Sequence, residues 1–190
     1  MTSETLYDTT RDLHHACEMH LVGGSMSDGT ISAQWWADWL GALYEFHSII
    51  DGPETEDDLS RCLELEVDLK GCSAIPRYNC MADELMVRLD ESERMREAGR
   101  YVLTGAHLMG GAVTKKRIGG RLPTAHLHFS NRKDLMKVWT PYRERIDLTD
   151  EARTIFQYLL WTMDEILLLD IGTSFKELEH GNADDVSGVW

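Results

Sequence analysis

The sequence predicts an all-α, single-domain protein. Apolar residues recur at spacings of three and four in segment after segment, and the two-residue alternation of a half-buried strand is absent. Helix punctuation is frequent: Ser32 precedes one apolar run, Asp51-Gly52-Pro53 follows it, and Gly119-Gly120 closes another. A chain of 190 residues is long enough for one domain with a sizeable core, and no internal repeat or long linker divides it.

The first predicted helix spans 3–21. Leu13, Cys17 and Leu21 share a face, His14 borders it, and Glu18 follows His14 by one turn. His15 and His20 lie in the same helix, and a histidine beside an apolar stripe is ordinarily a hydrogen-bonded core residue. Gly23, Gly24 and Gly29 predict a loop. The second helix, 33–50, has Ser32 as its cap and Ile31 with Trp36 as a hydrophobic staple. Its stripe is Trp36, Leu40, Leu43, His47 and Ile50. A third helix, 56–70, turns Leu59, Cys62, Leu63, Val67 and Leu69 inward and breaks at 71–76. A short helix covers 80–89. Ser92 then caps a long helix that Gly119 ends. The segment 122–129 (LPTAHLHF) reads as a loop, because His126 and His128 are two apart and share no helix face. The next helix begins near 130–131, carries Leu135, Val138, Trp139, Tyr142 and Ile146, and is interrupted by Pro141. Thr149 caps the last helix, 150–180, with Phe156, Leu160, Met163 and Leu167 as its stripe. The domain is therefore 1–180, and 181–190 reads as a disordered tail.

Composition excludes several functions. Hydrophobic content of 43% and charged content of 27% are ordinary for a soluble globular chain. No apolar run reaches the roughly 18 residues of a membrane span, and the polar, acidic start MTSETLYDTTRD is no secretory signal. The 4 cysteines form no CxxC pair, which argues against a zinc site and for reduced thiols in the cytoplasm. A net charge of −14 argues against general binding to nucleic acid or anionic membrane. Basic residues nevertheless cluster at Lys115–Arg121, Arg132–Lys137 and Arg143–Arg145, where an anionic ligand or acidic partner would fit.

One stretch is costly. Tyr101–Lys116, YVLTGAHLMGGAVTKK, is a helix with Gly105, Gly110 and Gly111 inside it, each costing about 1 kcal/mol relative to alanine. A glycine pair bends helices, and bare backbone admits a flat, bulky group. Close helix packing, or a helix end capped by Gly110, serves equally as an explanation.

Five stretches together resemble the heme oxygenase family: TRDLHHACE (10–18), ALYEFHSIID (42–51), LELEVDL (63–69), the glycine-bearing helix, and YRERI with DEARTIF (142–146, 150–156). Their order and spacing extend over roughly residues 7–170. The resemblance implies a helical bundle that clamps heme between the first helix and a glycine-kinked distal helix. It implies His14 as the axial iron ligand, with Glu18 beside it. Arg11, Lys137 and Arg143 would pair with the propionates. Tyr101, Gly105, Ala106, Met109, Gly110, Gly111 and Phe156 would lie around the macrocycle.

Three positions depart from the family. Its distal aspartate falls on His107, its first distal glycine on Ala106 with Gly105 next door, and a distal tyrosine on His47. The resemblance therefore implies that His107, coupled to His47 through water, takes over proton delivery, for which an unperturbed pKa near 6.5 is suited. The implied reaction cleaves heme with dioxygen to biliverdin, carbon monoxide and ferrous iron. Electrons would come from a ferredoxin or flavoprotein reductase docked on the basic clusters, and a bilin reductase is a candidate downstream partner. Three alternatives remain: a purely structural helical bundle, which leaves the glycine cost unexplained, a heme carrier or sensor with His14 and His107 both on iron, and a non-heme oxidase or thiamine-degrading enzyme on the same scaffold. For the last, the E-x-x-H pair Glu177–His180 lies close to the tail, and nothing nominates a nucleophilic cysteine.

Overall fold

Helix α1 (Leu6–Met19) starts in a capping box, in which the Thr5 side chain accepts the Asp8 amide and Asp8 accepts the Thr5 amide. The structure, a computed structural model, describes residues 4–51 and 59–181, with side chains as far as 172. The predicted tail beyond 181, the start of the predicted third helix and the Glu177–His180 side chains lie outside the described residues.

Helix α2 (Leu21–Asp28) replaces the predicted loop around Gly23 and Gly24. His20 ends α1 and caps α2, its Nδ1 accepting the Val22 amide at 3.2 Å while its Nε2 meets Asp164 at 3.1 Å. A Cβ on Gly23 would fall 2.0 Å from the Cys17 carbonyl oxygen, so glycine here permits close approach of α2 to α1. Gly29, with φ of 74°, is the turn residue proper.

Helix α3 (Ala33–Ile50) runs as predicted, with the Ser32 side chain accepting the Trp35 amide and both Ile31 and Trp36 buried. Helix α4 (Cys62–Gly71) shows a different face from the predicted one. Leu63 and Val67 are 74% and 60% exposed, and the inward residues are Leu65 and Asp68. A buried carboxylate occupies the inner face and breaks its apolar stripe.

Helix α5 (Cys80–Glu91) is capped by Asn79, which accepts the Ala82 amide. Helix α6 (Glu93–Gly99), a π-helical segment (Arg100–Thr104) and α7 (Gly105–Ile118) then form one continuous rod. Ser92 caps its start, accepting the Met95 amide, and Gly119 in the left-handed region ends it. The loop at 122–129 holds a single 3₁₀ turn, Ala125–Leu127. Pro141 ends the predicted helix, leaving α8 (Arg132–Trp139) followed by 3₁₀ turns, and Val138 and Ile146 are 40% and 48% exposed.

The long α9 (Thr149–Gly181) packs along α1, α5 and α6. Its buried side is Ala152, Ile155, Phe156, Leu159, Met163 and Ile166, with the predicted Leu160 and Leu167 only half-buried at the edge. The described residues contain no strand, and among them no helix is long and apolar enough to cross a membrane.

Candidate functional site

A cavity of about 550 Å³ lies between α1 and α7, closed by α3 and α9. That volume is typical of a cofactor or drug-sized ligand site. From α3 and α9 it receives Trp36, Trp39, Leu43, Phe156, Leu159 and Met163, which make its floor apolar.

Helix α1 contributes His14 and Glu18. The His14 ring is held edge-on between Tyr7 and Phe156, at 5.7 and 5.9 Å. Its Nδ1 lies 3.5 Å from Glu18 Oε1, and the side chain is 40% exposed. With Glu18 beside Nδ1, Nε2 is the nitrogen left for a ligand.

Helix α7 presents Gly105, Ala106, Met109, Gly110 and Gly111 to the cavity. The three glycines serve different ends. A Cβ on Gly110 would meet nothing within 4 Å, whereas one on Gly111 would lie 3.2 Å from Leu127 and one on Gly105 only 2.5 Å from the Trp139 ring. Gly110 is thus open backbone, and Gly105 is a close-packing glycine that does not stand in for the residue at Ala106. The predicted kink does not fall at the glycine pair. Gly110 and Gly111 lie in regular α-helix, and the departure from α geometry is the π segment just before Gly105. There the Trp139 indole stacks on Tyr101 at 5.7 Å and donates to its carbonyl at 3.3 Å.

Among the predicted propionate partners only Arg143 lines the cavity. It forms no ion pair among the described residues, and its charge acts on Tyr101 and Asp8. Arg11 and Lys137 are exposed and outside the cavity, and Lys137 is 2.7 Å from Asp134. Burial raises the Tyr101 phenol.

Behind α7 lies a buried polar network. His107 Nε2 and His47 Nε2 are 3.1 Å apart, so the two rings bond directly, in place of the expected bridging water. His47 Nδ1 meets both oxygens of Asp51 at 3.1 and 3.2 Å. On the other side His126 stands edge-on to His107 at 5.1 Å, and its Nδ1 bonds Asp68 Oδ2. Burial holds His107 well below the ordinary histidine pKa, helped by the charges of His126, His47 and Arg61. Burial also lowers His126, against the pull of Asp68. For Asp51 burial acts upward, but hydrogen bonds from His47, the Arg61 amide and Ser60 outweigh it and the carboxyl is lowered.

Sequence reasoning missed Asp51, Asp68 and His126 as members of the site. Asp68 left a signal as the acid three residues after Leu65 on one face of α4. His126 left none, since a single 3₁₀ turn in a loop places it.

The cysteines are poor nucleophiles. Burial pushes Cys17 and Cys62 up to about 12, burial likewise raises Cys72, and a hydrogen bond to Glu165 raises Cys80. No group of histidine, cysteine or acid residues among the described residues is placed to hold a metal ion by itself.

No family model and no curated protein matches the sequence. The structure is similar to solved heme oxygenases. Against heme oxygenase-1 of the cyanobacterium Synechocystis, in complex with heme, the TM-score is 0.72 at 16% identity, over 91% of this chain and 97% of that one. Against heme oxygenase from Leptospira interrogans it is 0.70 at 16% identity, over 84% and 97%.

Proposed function

From the heme oxygenase fold of this chain, we propose that it is a heme oxygenase that binds heme in the α1–α7 cavity. The observation that carries the reading is the pairing of His14 on one wall with open backbone at Gly110 on the other. Heme would serve as cofactor and substrate, supplying the oxygen chemistry that yields biliverdin, carbon monoxide and ferrous iron. His14 Nε2 would hold the iron, with Glu18 fixing the ring through Nδ1. Arg143, a half-buried cation without an ion-pair partner among the described residues, is suited to a propionate. Ala106, Met109 and Gly110 face one side of the void and Phe156 the other, where their small or apolar surfaces would lie against the two faces of the heme.

His107 borders the cavity, is only 6% exposed, and is neutral at physiological pH. It would take the place of the family's aspartate, and its bond to His47 fits it to pass protons to the cavity. That bond also argues against the carrier reading, because the Nε2 that would bind iron is already engaged. Electrons would come from an acidic ferredoxin or flavoprotein reductase at exposed Lys115, Lys116 and Arg117. Arg121 and Arg132 are tied to the carbonyls of Gly29, Ile31 and Leu108. Biliverdin would pass to a bilin reductase. Free cysteines suit a cytoplasmic setting.

Hemin titration tests the site. Wild-type protein binds one hemin with a Soret shift. His14→Ala binds at least ~100-fold more weakly, since loss of even a ligand's hydrogen-bond partner costs 10–100-fold, and added imidazole restores the spectrum. An unchanged spectrum in His14→Ala removes His14 from the iron.

A further inference from the structure

The reading above uses His107 and His47 but gives no role to three buried groups, Asp51, Asp68 and His126. Five polar side chains from four parts of the fold converge here. Helix α3 and its end supply His47 and Asp51, α4 supplies Asp68, α7 supplies His107, and the 3₁₀ turn supplies His126. Apolar residues would fill this volume at less cost, since buried polar groups must all find partners.

The partners fix where the protons sit. The Asp51 carboxylate accepts from the Arg61 amide at 2.6 Å and from the Ser60 hydroxyl at 3.2 Å, both on Oδ2. An ionised Asp51 only accepts, so His47 carries its proton on Nδ1. His47 Nε2 is then a lone pair, and the 3.1 Å contact requires a proton on His107 Nε2. His107 Nδ1 is left bare. In the same way Asp68, fixed by the Ala125 and His126 amides at 2.6 and 2.9 Å, places the His126 proton on Nδ1.

We propose that Asp51 is the positioning residue of a buried relay, Asp51–His47–His107, which sets the protons on the distal histidines and refills His107, with the His126–Asp68 pair packed edge-on against it. This rests on the reading of the cavity as the catalytic site. A proton taken up at His107 Nδ1 is matched by release of the Nε2 proton to His47 Nε2, giving an imidazolium that Asp51 neutralises. Run in reverse, the chain delivers a proton to the cavity. Only N–H bonds form and break. His107 and His126 both line the main cavity, and His107 also borders a second cavity of about 320 Å³ whose rim includes exposed Lys115, Lys116 and Arg132, a route to bulk water. The other titratable or charged groups facing the relay are Arg61, which lies over the Phe129 ring at 4.2 Å, and the Cys62 thiol beside Asp51.

Asp51→Asn tests the assignment. In that variant the side-chain amide oxygen takes the Oδ2 position, where the Ser60 and Arg61 donors point and which also lies 3.1 Å from His47 Nδ1, so the His47 proton keeps its acceptor while the charge that neutralises an imidazolium is lost. His47 and His107 then keep their tautomers, and the variant isolates the carboxylate charge. Nitrogen-15 NMR of the imidazoles, in hemin-free protein, reads this directly. Wild type is expected to show His47 and His126 protonated on Nδ1 and His107 on Nε2. Asp51→Asn is expected to keep these tautomers, to keep hemin affinity within a few fold, and to slow bilin formation on the order of 10²–10⁴-fold with an altered pH profile. The wild-type spectrum decides the point even if the variant does not fold. A wild type with His47 protonated on Nε2 overturns the relay. So does an Asp51→Asn variant whose turnover and pH profile match wild type. A wild type with the expected tautomers but no bilin formation counts against the oxygenase reading alone.

Discussion

The two walls of the cavity solve opposite problems. The α1 wall offers one half-exposed histidine, His14, with a single partner, Glu18, one helical turn away. The α7 wall withholds its histidine: His107 is buried and keeps its charge out of the cavity through partners 60 and 19 residues distant in the chain, His47 and His126. A group that must bind an incoming ligand needs access, whereas a group that must hold a proton without charge needs burial and a fixed hydrogen-bond partner.

The largest effect should come from the α7 wall. His107→Ala is expected to bind hemin within a few fold of wild type and to lose on the order of 10²–10⁴-fold in single-turnover bilin formation. Equal losses in binding and turnover would erase the distinction between the walls.

The glycines sharpen it next. Gly105→Ala drives a methyl into the Trp139 ring, where the space is 2.5 Å, and should destabilise the fold by about 1–3 kcal/mol in urea unfolding. Gly110→Ala meets no atom within 4 Å and should hold or gain up to about 1 kcal/mol from helix propensity, while weakening hemin binding.

The smallest effect is in pH dependence. His107 and His126 have folded-state pKa values lowered from 6.5, so their contribution to stability is present above that value and is lost as pH falls below it, when the unfolded chain binds protons that the fold refuses. Unfolding free energy should therefore fall by about 1.4 kcal/mol per pH unit for each histidine below pH 6.5. His126→Gln should roughly halve that slope.

The α1 wall is legible in the sequence because its logic is local. His14 and Glu18 sit four apart, Ser32 and Gly119 announce their helix ends, and Pro141 stops α8 where its ring requires. The α7 wall is half legible. Its glycines and the odd residues His107 and His47 are plain, yet their direct bond depends on how α3 meets α7. Asp68 is hidden because an acid on an inner helix face contradicts the periodicity that finds inner faces, which is why that periodicity turns Leu63 and Val67 inward. Gly23 reads as a loop residue because composition does not separate a flexible glycine from one that admits a neighbouring carbonyl. The π segment at 100–104 leaves no mark, since RYVLT suits an ordinary helix and only the seating of Trp139 distinguishes it.

The central claim is that this cavity degrades heme. The most direct measurement supplies the hemin complex with ferredoxin, its reductase and NADPH, with catalase present, and follows absorbance from the Soret band to the far red. The account predicts loss of the Soret band with growth of a biliverdin band, absent in His14→Ala until imidazole is added. A stable one-to-one hemin complex that reduces but yields no bilin would contradict it.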